Sequence, residues 1–397
     1  MPLSPAAFAI LHATVLPVSG PALPDTPVLV DAGKIVQVGG VVPAGLTTLD
    51  ASGQYLTPGF IDMHSHMGVY PWPEGSAHSD GNEAVEPFTP RVWSFDSFDP
   101  EDPALERAQA GGVTTIQVLP GSANLVGGRA AIFKLRDART ADAMLFREAP
   151  ASIKMACGEN PKRVYGEEKD DDQIQTRMGE IAALRAVFTR AKEYSTAKRG
   201  NSPPAWDGDL EVLADVMAGK IRVNLHCYRS HDIADWYRVA DQFGFRIVTI
   251  HHALETYKVR DLLLAHGTGI ATWPDWWGFK LESFDGIPEG PALVSSAGVP
   301  VATHSDSASH VQRFNIEAAK MVRYGMTEAD ALESITLDPA RLLGVDAWVG
   351  SIEVGKHADL ALFDRYPLDG TARVVRTWVD GQLVYDRAKE GIPDGVR

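Results

Sequence analysis

At 397 residues the chain is long enough for one large core plus a smaller satellite unit. It is 45% hydrophobic and 22% charged, with 36 Gly and 26 Pro spread along it, which excludes a coiled coil, a collagen-like repeat and a mostly disordered chain. A formal net charge of −15 argues against nucleic acid or an anionic membrane as the main partner, because phosphate-rich partners call for a basic surface.

Residues 1 to about 55 read as short strands at Val28–Val30, Lys34–Val38 and Thr47–Leu49, divided by turns at Asp31-Ala32-Gly33 and Gly39-Gly40. From about 348 onward the pattern returns, at 358–363, 374–379 and 383–385, with a turn at Asp380-Gly381. Neither end can hold a core alone, so 1–55 and 348–397 are expected to pack together as one small β-sandwich domain.

Between them, Leu56-Thr57-Pro58-Gly59-Phe60-Ile61-Asp62-Met63-His64-Ser65-His66 reads as a short apolar strand ending in two histidines. Alternation along a strand puts His64 and His66 on one side, where both can face one cation. Further strand signals follow at 114–119, 152–156, 221–225, 246–250, 269–272 and 299–303. Helical stretches separate them near 232–243, 257–266 and 312–324. A long helix fits 171–198, where Ile174, Met178, Ile181, Leu184 and Phe188 recur at helical spacing, and the acidic run 167–172 suits its start. Repeated strand–helix units over 56–347 predict an α/β fold, a parallel (β/α)8 TIM barrel.

No run of eighteen apolar residues could span a membrane, and no Lys or Arg precedes Lys34 to form a secretory leader. The two cysteines, Cys157 and Cys227, are read as small buried residues rather than a disulfide framework. The expectation is a soluble cytoplasmic protein acting on a small molecule, with no nucleic acid or membrane partner and with room for a homo-oligomer.

In such a barrel chemistry gathers at the C-terminal strand ends. Here those ends carry His64 and His66, then Lys154 with Glu159 beyond it, His226, His251-His252, and His304-Ser305-Asp306. Imidazole and carboxylate suit zinc and similar divalent ions, and a catalytic site keeps a position for water, which the metal acidifies. Asp306 fits two linked roles, metal ligand and general base.

With these residues the chain resembles the amidohydrolase superfamily of metal-dependent hydrolases, in the branch of imidazolonepropionase-like enzymes and Xaa-Pro dipeptidases. The likeness rests on the 57–66 segment, the strand-end ligands, and the tail Gly350-Ser351-Ile352-Glu353-Val354-Gly355-Lys356-His357-Ala358-Asp359-Leu360. It implies His64, His66, His226, one histidine of the sixth strand and Asp306 as ligands; His252 is preferred over His251, which then stands behind it toward the substrate side. It also implies Lys154 as a carboxylated lysine bridging two zinc ions, with Glu159 as the alternative bridge and other divalent metals admissible. Deaminases of the superfamily usually carry a glutamate three residues after the fifth-strand histidine. Here Arg229 stands there, after Cys227 and Tyr228, which counts against deamination; Arg229 could clamp a substrate carboxylate or pair with Asp232.

Two loops look able to touch substrate: 121–129, placed after the third strand, and Trp273, Trp276 and Trp277 after the seventh. The resulting expectation is hydrolysis of an amide, peptide or cyclic amide by metal-activated hydroxide. The alternatives are a mononuclear deaminase of a cyclic amidine and a non-catalytic binding relative.

Overall fold

In the computed structural model, which describes residues 3–166, 174–276 and 278–389, the run expected as one strand from Leu56 is two. Tyr55–Pro58 pairs with Leu360–Phe363 in a five-stranded sheet drawn from both chain ends, whereas Phe60–Ser65 opens an eight-stranded sheet. Gly59 is the junction. A Cβ there would lie 2.2 Å from the side chain of buried Thr114, so the close crossing of the two sheets admits only glycine.

The eight strands lie side by side in chain order: Phe60–Ser65, Val113–Val118, Val126–Lys134, Ser152–Ala156, Arg222–Cys227, Ile247–His252, Gly269–Thr272 and Val301–Thr303. All residues of the first, second, fourth and seventh are buried, as for strands covered on both faces. The ring is nearly closed. Between its last and first strands Thr303 N donates to Ser334 O at 2.7 Å and Ile61 N to Ile335 O at 2.9 Å. Helices pack outside, among them Pro103–Ala110, Arg177–Ala197, Ser230–Phe243, Arg260–His266 and Phe314–Arg323. The result is a TIM-like barrel.

Three expectations need correction. Val126–Lys134 is the third strand and runs antiparallel to both neighbours, so the 121–129 segment is half strand rather than a free loop, and the run near 114–119 is the second strand. Gly127-Gly128 disguises it; Gly128 has φ +117° and a Cβ there would meet Val92 Cγ2 at 2.4 Å. The long helix begins at Arg177, because the Thr176 hydroxyl caps it by accepting from Gly179 N at 3.1 Å. Ile174 therefore precedes the helix, Met178 is 80% exposed, and the acidic run 167–172 lies outside the described residues.

The cysteines are joined. Ala156 is paired with His226 across the parallel fourth and fifth strands, which carries Cys157 and Cys227 to facing positions with Cα atoms 5.3 Å apart in a disulfide. A separation of 70 residues hides this proximity in sequence, and the bond corrects the expectation of two unlinked cysteines. Among the described residues no helix is long and apolar enough to cross a membrane.

Against the barrel lie two smaller sheets, one of four strands from the first fifty residues and the five-stranded one already met. Ile10, Val28, Ile35, Leu56, Leu360 and Trp378 share one apolar cluster between them. Lys134, fully buried at the end of the third barrel strand, ties this assembly on: it pairs with Asp359 at 2.9 Å, bonds His357 Nδ1 at 3.0 Å and contacts Asp380.

Replacing Gly59 with Ala is expected to lower stability by about 1–3 kcal/mol through overpacking. Adding Thr114→Ala should recover part of the loss, a non-additivity visible in thermal melts of the single and double variants.

Candidate metal centre

Strand alternation and the barrel's inward face bring the strand-end side chains together. His64 Nε2 and His66 Nε2 are 3.4 Å apart, and Asp306 Oδ1 lies 3.8 Å from the first and 3.6 Å from the second. Asp306 is held there by its own backbone, whose N–H donates to His64 O at 3.2 Å. Ligating atoms of His64, His66 and Asp306 lie within 4.8 Å of one another, and so do those of His64, His252 and His304. The His226 ring stands 4.4 Å from that of His252. His252 and Asp306 have left-handed φ of 68° and 48°, a conformation costing about 1–2 kcal/mol per residue, which the surrounding strands impose.

Burial governs the charges. It holds the imidazoles of His64, His66, His226, His251, His252 and His304 below their usual range, and Lys154 depresses each of them further. Neutral imidazole is the form that binds metal. The same burial lowers the Lys154 amine and raises the Asp306 carboxyl, each opposing charge partly restoring the other. Lys154 Nζ donates to Pro120 O at 3.2 Å.

Both ring nitrogens of His226 and of His304, and Nδ1 of His252, are buried with no hydrogen-bond partner among the described residues. Leaving a buried polar atom unpaired costs about 1–3 kcal/mol, so such a cluster calls for a ligand. Imidazoles with a carboxylate at this spacing fit a divalent cation such as zinc.

His251 does not join them. Its Nδ1 meets His64 Nδ1 at 3.1 Å and its Nε2 meets Asn224 Oδ1 at 3.0 Å. Tyr228 is buried, its ring stacked on His252 at 4.9 Å. The Glu159 carboxylate is 3.2 Å from Lys280 Nζ, which also lies 4.0 Å over the Tyr228 ring. Arg229 precedes the Ser230–Phe243 helix; the carboxyl of Asp285 is drawn down chiefly by Lys258 at 2.7 Å and to a lesser extent by Arg229, while Asp232 is taken by Arg177 at 3.0 Å. Trp273 packs edge-on against His304 at 4.2 Å and against His252 at 4.7 Å; Trp276 lies 5.3 Å from it, and Trp277 lies outside the described residues. A cavity of 570 Å³ opens beside the centre, lined by His66, Tyr70, Glu74, His78, Asp306 and Ser307 among others.

The family model described as Amidohydrolase family matches residues 55–384, which spans the barrel and all of these side chains. The chain belongs to the amidohydrolase family. Amidohydrolase tasK of Hapsidospora irregularis is 33% identical over 90% of this chain, and the match spans only 40% of that longer protein. An imidazolonepropionase of Sphingopyxis alaskensis is 25% identical, covering 84% of each chain. The crystal structure of an amidohydrolase from Thermotoga maritima superposes with a TM-score of 0.90 at 37% identity, covering 96% of this chain and all of that one. The family is one of hydrolases that act on small molecules, and this member carries a histidine-rich site fit for metal.

Sequence reasoning named His304 at a strand end without giving it a ligand's part; its signal was the same strand-end position that singled out the others. In the loop after the seventh strand of this amidohydrolase the tryptophans drew attention, whereas Lys280 and Glu282 farther along gave no signal. There Glu282 accepts from Glu159 N at 2.7 Å and pairs with Arg177, and Lys280 lies 3.4 Å from it. Beside them Glu180 is 2% exposed, accepts from Gly158 N at 3.1 Å, and is pushed up to about 8 by burial. A raised carboxyl means the folded protein holds a proton that the unfolded chain has released, so stability falls as pH rises from the ordinary carboxylate range through about 8. Glu180→Gln should melt like the parent at pH 4.5 and higher than it at pH 8.5, by roughly 2 °C or more.

Proposed function

We propose that this amidohydrolase cleaves a C–N bond, in an amide, peptide or cyclic amide, with a metal centre and with Asp306 as general base. The convergence of buried imidazole nitrogens that lack protein partners supports this reading most. His64, His66, His226, His252 and Asp306 are the ligands in it, and His304 joins them as a candidate. A pair of zinc ions held there supplies Lewis acidity toward a carbonyl oxygen and acidifies a water.

The chain's own residues do the rest. Burial lowers the Lys154 amine to about 8, which enlarges its neutral, nucleophilic fraction. Its nitrogen can add to the carbon of carbon dioxide, forming an N–C bond as one proton leaves to solvent, and the resulting carbamate would be one of the groups that hold the metal. Glu159, paired with Lys280, is the weaker candidate for that role. Asp306 faces the 570 Å³ cavity, so it can accept a proton as water oxygen attacks the carbonyl carbon and return it to nitrogen as the C–N bond breaks. Tyr228 walls the site beside His252, and Arg229, not spent on Asp232, is assigned to a substrate carboxylate. Residues 1–55 and 348–397 form one small β-sandwich beside the 56–347 barrel in this reading, supported by their shared apolar cluster.

Asp306→Asn should cut turnover by about 10²–10⁴-fold with little change in melting temperature. Dipeptides, N-acyl amino acids, lactams and cyclic ureas are the panel to screen; turnover retained by the variant would remove Asp306 as base. Metal analysis of the parent protein should find two ions per chain. One ion with an unmodified Lys154 would instead favour a mononuclear deaminase.

A further inference from the structure

We propose that Asn224 acts as a positioning residue, fixing through His251 which nitrogen of His64 carries its proton and so aiming the lone pair of His64 Nε2 at the metal position. The proposal rests on the reading of His64 as a metal ligand.

The chain of contacts has few solutions. Asn224 Oδ1 has no hydrogen to give, so across the 3.0 Å contact His251 Nε2 must donate. A neutral imidazole carries one N–H, so His251 Nδ1 is left as an acceptor. Its partner at 3.1 Å is His64 Nδ1, which must therefore hold the proton of that ring. His64 Nε2 is then bare, and it is this atom that faces His66 Nε2 at 3.4 Å and Asp306 Oδ1 at 3.8 Å. Turning the Asn224 amide over would reverse every donor and put a hydrogen on His64 Nε2, where a cation could not bind.

The second histidine of the pair solves the same problem differently. His66 Nδ1 lies 2.8 Å from Leu119 O, an atom that can only accept, so His66 Nε2 is bare as well. One ligand is thus oriented by a backbone carbonyl and the other by a side-chain relay. Asn224 and His251 are buried on adjacent strands, so water has little chance to substitute for either. Groups that orient a ligating histidine are worth about 10–100-fold in metal affinity.

The test compares Asn224→Asp, which keeps an acceptor, with Asn224→Leu, which fills the space and keeps none. Zinc affinity of the full chain is read by competition with a chromogenic chelator. Asn224→Leu should lose about 10–100-fold and Asn224→Asp should hold parental affinity or exceed it. Equal losses in both, or none in Asn224→Leu, would overturn the relay. Histidine ¹⁵N spectra of the metal-free parent supply a readout independent of any variant's folding: the His64 proton belongs on Nδ1, and finding it on Nε2 refutes the assignment. His64→Ala separates the two levels of inference. If it leaves zinc affinity untouched, the ligand reading fails and the relay with it; if it weakens binding while Asn224→Leu does not, only the relay fails.

Discussion

Burial of ionisable groups at the mouth of the barrel is the constraint on which everything else turns. Five imidazoles and a lysine are withdrawn from water, a sixth imidazole and an aspartate are largely so, and each is driven toward its neutral form. Neutral imidazoles offer lone pairs rather than positive charge. A neutral amine offers a nucleophile. The same desolvation would be ruinous without a ligand, because nitrogens on three of these rings find no protein partner among the described residues. Metal affinity and the cost of burial are therefore one quantity seen from two sides.

The strand-end histidines were legible because the barrel reads out a simple rule, that alternation puts His64 and His66 on one face and that each strand stops where its chemistry begins. The fourth and seventh strands fell where their residues indicated, since a run such as Ser152-Ile153-Lys154-Met155-Ala156 is buried throughout. The third strand did not. Its glycines imitate a loop, and only the approach of Val92 to Gly128 explains why a strand needs them. Nor does periodicity reveal direction, so its antiparallel course was invisible.

Long-range pairings were the other blind spot. The disulfide follows from the register of the fourth and fifth strands, and register is a property of the assembled sheet. Glu282 and Lys280 come from one loop and Arg177 from a helix start, and nothing local distinguishes them from ordinary surface charges until the chain path brings Glu282 against Glu159 N. Asn224 belongs to the same class: an amide inside a strand gains meaning only from the histidine on the next strand over.

The division of labour between scaffold and site also explains where strain is tolerated. His252 and Asp306 take left-handed backbone at the ends of the sixth and eighth strands, and unpaired ring nitrogens sit beside them. Each such feature costs on the order of 1 kcal/mol, against a net stability for a folded domain of about 5–15 kcal/mol. What offsets them is spread through the fold: fully buried strands along the walls, an inter-strand disulfide at the mouth beside His226, and on the far side Lys134 bonded into Asp359, Asp380 and His357 where the end sheets meet the barrel. A cation that binds only the folded arrangement then returns part of the cost by mass action, about 4 kcal/mol when its free concentration is a thousand times its dissociation constant. The rest of the fold is well bonded while the mouth remains unsatisfied by protein atoms among the described residues, and that unsatisfied set of donors is what makes it a candidate site for metal.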